Sequence, residues 1–223
     1  MDTLLCDFGN YSLWLVSEEN LVKISNFIVK VNQEFHLKTN TINYYELIKT
    51  ITLDLESYSS SHFYAIKNRN HEIIGSIKAQ KWDGITKLPI EEDFKIDLKE
   101  VLQSLPFTPS EVWHIGRFAI DQKKIISDPY LRKFRITYLK MLLANSFQHI
   151  SKKPDNIAIA ECDKKLFEKL KLMGIQSAAL KESKYYLGSE TLPILNTGMG
   201  VNQFVNDNKN LCFDLHHMDL HSA

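Results

Sequence analysis

The 223 residues carry 27 basic and 27 acidic side chains, so no global charge draws the chain to nucleic acid or an anionic membrane, and a charged ligand must meet a local patch. Cys6, Cys162 and Cys212 are too scattered for a disulfide framework and contain no C-x-x-C pair for zinc, which suits a reducing, cytoplasmic compartment. The start of the chain lacks the basic-then-apolar pattern of a signal peptide, and no apolar run approaches the ~18 residues that cross a bilayer. The length suits one α/β domain with a sizeable buried core.

Leu21, Ile24, Ile28, Val31 and Phe35 recur at helical spacing behind Ser17, which is placed to cap, with Glu18 and Glu19 in the first turn. A second helix is expected over Tyr44, Leu47, Ile48, Ile51 and Leu55, ending in the serines from Ser57 to Ser61. His62 to Lys67 and Glu72 to Gln80 alternate around Asn68, Arg69 and Asn70 as an antiparallel hairpin, so two helices precede the first hairpin. From Ile85 to Pro109, three prolines and a short helical pattern at Leu98, Val101, Leu102 and Leu105 mark an insertion or cap over the sheet.

Val112 to Asp121 is apolar enough for a central strand. A polar loop through Ser127, Asp128 and Pro129 is expected to lead into a long helix with Leu131, Phe134, Tyr138, Met141 and Leu142 inward. Asn156 to Glu161 is the next strand, Lys164 to Met173 a helix closed by Gly174, and Ile175 to Leu187 one or two closing strands. The stretch from Thr197 to the last residue, 197–223, is polar and weakly patterned.

That order of elements resembles the GNAT acyltransferases, and the resemblance reaches individual residues. The stretch from Glu111 to Asp121 (EVWHIGRFAID) looks like their central strand, and Asn156 to Asp163 (NIAIAECD), with Leu166, Phe167 and the run Leu172 to Ile175, looks like their later strand and helix. Within the superfamily, His114 to Phe118 is similar to the Glu-x-Ser-Arg-Phe core of acyl-homoserine-lactone synthases and long-chain N-acyl amino acid synthases. Arg117 and Phe118 match that core, whereas His114 stands for its glutamate and Gly116 for its serine. The acyl-transfer class is carried over, and the product is not. The resemblance implies a mixed central sheet flanked by helices and an acyl thioester donor as cosubstrate, on coenzyme A or on the phosphopantetheine of an acyl carrier protein. It also implies the amine of a small metabolite as acceptor, with a medium or long acyl chain. Acetyl transfer from acetyl-CoA is the alternative, and a non-catalytic GNAT-like module binding an acyl ligand or a protein is another. Neither a metal nor nucleic acid nor integral membrane association is expected.

The family geometry implies that backbone N–H groups around Phe118, Ala119, Ile120 and Asp121 hold the pantetheine arm and polarise the thioester carbonyl, worth roughly 3 kcal/mol for one donor. A base must take the proton of the attacking amine, for a gain of ~10²–10⁴ in rate. Glu111, His114 and Asp121 are the candidates, and Glu111 is favoured over His114. Strand alternation puts Glu111, Trp113, Ile115 and Arg117 on one face, and His114, Gly116 and Phe118 on the other. A buried guanidinium at Arg117 demands a partner, either structural or in the reaction.

The loop from Ser127 to Arg135 holds none of the glycine that helps such enzymes wrap a pyrophosphate. Arg132, Lys133 and Arg135 are instead placed to grip a single phosphate and meet an acidic carrier protein. Asp214, His216, His217, Asp219 and His221 offer ligand types without a zinc spacing.

Overall fold

In a computed structural model of the chain, residues 1–39 and 41–213 are described. Their strands form one mixed sheet of nine, in the order Thr3–Asp7, Tyr11–Leu15, Ser61–Asn68, Ile73–Lys81, Val112–Ile120, Ile157–Asp163, Ser189–Thr197 and Ser177–Ala179, with Lys184–Tyr186 also paired to Ser189–Thr197, and helices flank it. The chain divides into two compact units. One comprises Met1–Lys78, Arg117–Ser146 and the residues from Asn208 on, and the other comprises Ala79–Gly116 and Phe147–Asp207.

The first unit opens with a hairpin, β1 (Thr3–Asp7) and β2 (Tyr11–Leu15), ahead of both expected helices. Its strands are five residues each, too short to assert a period, and the turn between them depends on Gly9 at φ 77°. Helix α1 (Leu21–Asn32) follows a 3₁₀ turn. Ser17 does not cap it with its side chain; its N–H and hydroxyl both donate to Asp2 Oδ1, which fastens the N-terminus instead. Leu21, Ile24 and Ile28 pack against Phe63, Ala65 and Ala119, while Phe35 ends half-exposed in a π-helical turn over Gln33–Leu37.

Helix α2 (Tyr44–Glu56) is capped by Asn43, whose side chain accepts from Tyr45 and Glu46 N–H. Its inward face differs from the one its apolar residues suggest. Leu47, Thr50 and Asp54 are buried, whereas Tyr44, Ile48 and Leu55 are exposed. A buried Asp54 therefore turns the helix, and the cause lies in the cations it meets.

Strands β3 (Ser61–Asn68) and β4 (Ile73–Lys81) form the expected hairpin. Strand β5 (Val112–Ile120) takes the expected central position. In place of a polar loop, two short helices follow, α5 (Gln122–Ser127) and α6 (Pro129–Arg132), capped by Asp121 and Asp128, before the long α7 (Arg135–Ile150). Two Asx caps seven residues apart, one before a proline, explain why the chain winds twice here.

In the second unit the expected cap is helical, α3 (Pro89–Phe94) and α4 (Leu98–Ser104), with Leu88, Ile90, Phe94 and Leu98 packed on Ile157, Ile159 and Leu195. Strand β6 (Ile157–Asp163) and helix α8 (Lys164–Leu172) lie where expected, and Gly174 at φ 80° ends α8. The closing strands are more extensive than expected. β7 (Ser177–Ala179) and β8 (Lys184–Tyr186) both pair with a longer β9 (Ser189–Thr197). The first part of the expected weakly patterned tail is a helix, α9 (Gly198–Asp207), which buries Val201 and Phe204. It starts on glycine because a Cβ at residue 198 would come within 1.9 Å of the Lys153 carbonyl oxygen. Asp214, His216, His217, Asp219 and His221 lie outside the described residues.

Candidate active site

β5 pairs with β6 in parallel through Val112↔Ile157, Trp113↔Ala158 and His114↔Ile159, and the ladder ends there although β6 continues to Asp163. His114 thus occupies the last paired position. On β6, Glu161 follows Ile159 by two residues and so shares its face. The two side chains meet: His114 Nε2 lies 3.0 Å from Glu161 Oε2, with side-chain exposures of 8% and 11%. Glu161 Oε1 is buried without a hydrogen-bond partner among the described residues.

Gly116 makes room for this pair. A Cβ there would stand 3.0 Å from His114 Cε1 and 3.6 Å from Nδ1, so the imidazole lies over the glycine. This agrees with the expected sharing of a face by His114 and Gly116. When Nε2 carries the hydrogen and donates to the carboxylate, Nδ1 holds the lone pair and the ring is a base oriented by a buried anion. Glu161 was absent from the sequence-derived candidates. Its one signal is a charged residue that follows directly on the apolar run from Ile157 to Ala160.

Glu111 is engaged differently. Lys81 Nζ donates to its Oε1 at 2.6 Å and Trp113 Nε1 to its Oε2 at 3.1 Å. Burial raises its pKa, but these two hydrogen bonds and the Lys81 charge outweigh that and hold it below the usual glutamate value. Base strength falls with pKa.

In the first unit, Arg117 interrupts the alternation of β5. Its φ of 55° lies in the left-handed region, a conformation that costs a non-glycine residue roughly 1–2 kcal/mol. Ser76 Oγ steadies the turn by donating to the Arg117 carbonyl at 2.9 Å. The guanidinium thereby reaches Asp54, with Nε 2.9 Å from Oδ1 and 3.2 Å from Oδ2. Lys78 Nζ also reaches Asp54 Oδ1, at 3.3 Å, and donates to Ser57 Oγ at 2.7 Å, while Ser25 Oγ donates to Oδ2 at 3.3 Å. Asp54 is fully buried and Lys78 nearly so. Burial pushes the Lys78 ammonium down to about 8; Asp54 pulls it back up and Arg117 lowers it further. The partner that Arg117 requires is therefore Asp54, on a helix face that periodicity alone did not pick.

Further along β5, Phe118 is half-buried and Ala119 is part of the core. The Asp121 N–H donates to the Ile74 carbonyl at 3.0 Å and its carboxylate caps α5 through the Lys124 N–H, so both groups have structural partners. Alternation turns the Ile120 N–H away from β4. Ile120 to Lys123 wall a cleft of about 360 Å³ opposite Val31, Glu34, Phe35 and Lys38, and Lys123 bonds Glu34 across it at 2.9 Å. Arg132, Lys133 and Arg135 are all exposed, and none forms an ion pair with a described residue. Among the described residues no cluster of ligand-type side chains could hold a metal, and no helix is long and apolar enough to cross a membrane.

No protein-family model and no curated protein matches the chain. Solved structures do. An N-acyl amino acid synthase from uncultured soil microbes, FeeM, superposes with a TM-score of 0.56 at 15% identity, over 83% of this chain and 88% of that one. The CoA-dependent acyl-homoserine lactone synthase BjaI, solved with SAM and isopentyl-CoA, gives 0.55 at 10% identity over 88% and 87%. TofI in an apo form gives 0.56 at 12% identity over 95% and 99%. At such identities the likeness is one of fold. Strand order, the parallel β5–β6 ladder that ends at His114 and these superpositions agree on one architecture, and the chain has the GNAT acyltransferase fold.

Proposed function

We propose that the protein is an N-acyltransferase in which His114, oriented by Glu161, takes the proton of an attacking amine. The observation that carries this is the buried 3.0 Å contact between the two, at the last paired residue of β5 and over a glycine that leaves the ring its space. In the reaction the amine nitrogen attacks the thioester carbonyl and the C–N bond forms. The amine proton passes to His114 Nδ1, the C–S bond breaks, and the imidazolium gives that proton to the departing thiolate, which leaves as the thiol and restores the neutral base. A carboxylate on Nε2 stabilises the imidazolium that results, as a positioned ion pair does in other general-base pairs.

The donor is an acyl thioester of pantetheine, on an acyl carrier protein or on coenzyme A, with a medium or long acyl chain. Support comes from the fold and from Arg132, Lys133 and Arg135, three exposed cations without described partners at the head of α7 that suit an acidic carrier surface. Backbone donors of β5, with Ile120 foremost since Asp121 is committed to Ile74, would receive the arm. Glu111 is in this reading an orienting carboxylate already fixed by Lys81.

The test supplies acetyl-CoA, palmitoyl-CoA and a long-chain acyl carrier protein with a panel of amines and identifies products by mass. An N-acyl amide from the long-chain donors supports the proposal. An amide from acetyl-CoA alone removes the long-chain assignment, and no amide from any donor removes the enzyme.

A further inference from the structure

Helix α2 leaves open the face that its sequence builds best. Tyr44, Ile48, Ile51 and Leu55 follow one another by four, three and four residues, the spacing of an apolar coiled-coil seam. Because Leu47, Thr50 and Asp54 take the inward side, this seam lies on the flank of the helix. Tyr44 is 71% exposed, Ile48 64% and Leu55 43%, and Tyr45 beside them is 74% exposed. Their open surface amounts to roughly 500 Å², at the upper end of what a lone chain in water leaves bare, and a patch of that size marks a surface for a partner.

The seam is its own complement. Its spacing is the same in either direction, so on an antiparallel second copy Tyr44 falls opposite Leu55 of the partner subunit, and Ile48 falls opposite Ile51 of the partner subunit. The twofold repeats both contacts, as a closed interface between identical chains requires. Charge agrees with that direction. α2 ends on Glu56 with no basic residue in its last turn, so each helix carries an acid at its own negative end. An antiparallel partner brings the positive N-terminal end of its α2 towards that acid, whereas a parallel partner would set the two acids together. Counted over both copies, the surface covered is about 1,000 Å², where specific interfaces begin.

We propose that the protein forms a twofold dimer through antiparallel pairing of α2, with Tyr44, Ile48, Ile51 and Leu55 as the seam. The pairing is independent of the acyltransferase reading, and Asp54 takes part only by turning the seam outward.

Sedimentation velocity of the full chain from ~1 to ~100 μM is expected to show a shift from the mass of one chain to that of two, with a Kd in the micromolar range of a small interface. Ile48→Lys should weaken association by ~30-fold or more with an unchanged circular dichroism spectrum. Tyr44→Glu and Leu55→Lys, both at exposed positions and both favourable to the helix dipole, should each weaken it by ~10-fold. An equal mixture of these two should associate more tightly than either alone, because the antiparallel register sets the new charges against each other. In a parallel pair each would face an unchanged residue. A wild type that stays monomeric at ~100 μM overturns the proposal. So does an association that Ile48→Lys leaves unchanged, or a mixture no tighter than its components. A monomer that instead binds phosphatidylcholine vesicles, and no longer does so as Tyr44→Glu, also overturns it and gives the seam to a lipid surface.

Discussion

Replacing Lys78 with methionine removes a buried cation while keeping its volume. In the folded protein the Lys78 ammonium has a pKa of about 8 against an ordinary 10.5, chiefly through burial. Between those pH values the unfolded chain holds a proton that the folded one has lost, so folding stability rises with pH across that window. The gap corresponds to about 3 kcal/mol, which at neutral pH is the cost of keeping the ammonium charged inside the fold. Asp54 stays paired with Arg117 at 2.9 Å in the variant, and Ser57 Oγ still donates to the Leu53 carbonyl, so no uncompensated charge is left behind. Lys78→Met is therefore expected to be more stable than the wild type by about 1–3 kcal/mol at pH 7, a rise in Tm of ~2–4 °C for each kcal/mol in a chain of this size. Urea melts from pH 7 to 10 measure this as the difference between the two proteins: buried Cys162 and Cys212, with thiols pushed up to about 12 and about 11, lower the stability of both alike above pH ~9, and the advantage of the variant should shrink as Lys78 loses its proton. A variant destabilised by more than ~1 kcal/mol at pH 7, or one that keeps the wild-type pH dependence, would refute the reasoning.

His114→Gln should lower kcat by ~10²–10⁴-fold with little change in KM, and Glu161→Gln should do so to a smaller extent, in steady-state kinetics with a fixed amine. Gly116→Ser restores the serine that the resembled core carries but puts a Cβ 3.0 Å from His114 Cε1; thiol-release assays should show a loss of at least ~10-fold with near-normal folding by circular dichroism. Gly198→Ala drives a Cβ to 1.9 Å from the Lys153 carbonyl oxygen and should destabilise by ~3 kcal/mol or more in chemical denaturation.

Much of the architecture was legible because it rests on period. The apolar steps of α1, the turn from Asn68 to Asn70 and the apolar run of β5 each report their element without help from the rest of the chain. The β1–β2 hairpin and β9 were harder to read, because five-residue strands and a strand interrupted by Pro193 carry little pattern. α2 misled in a more instructive way. Its apolar residues suggest one inward face, but a buried Asp54 that neutralises Arg117 and Lys78 rotates the helix and leaves Tyr44 and Ile48 in solvent.

The candidate site divides along the same line. His114 and Arg117 could be named from β5 itself. Their partners, Glu161 and Asp54, are 47 and 63 residues away and are brought in by the register of β6 and the rotation of α2, which no local reading contains. The positive φ at Arg117 is likewise a tertiary choice, since it turns the guanidinium off the face that strand alternation assigns it.

The central claim is that His114 acts as the base for amide formation from an acyl thioester. It is tested most directly by following thiol release from palmitoyl-CoA and long-chain acyl carrier protein with an amine present, for the wild type and for His114→Gln. The account expects amine-dependent release by the wild type and its loss in the variant, with folding intact. Release that does not depend on the amine, or that persists unchanged without His114, would contradict it.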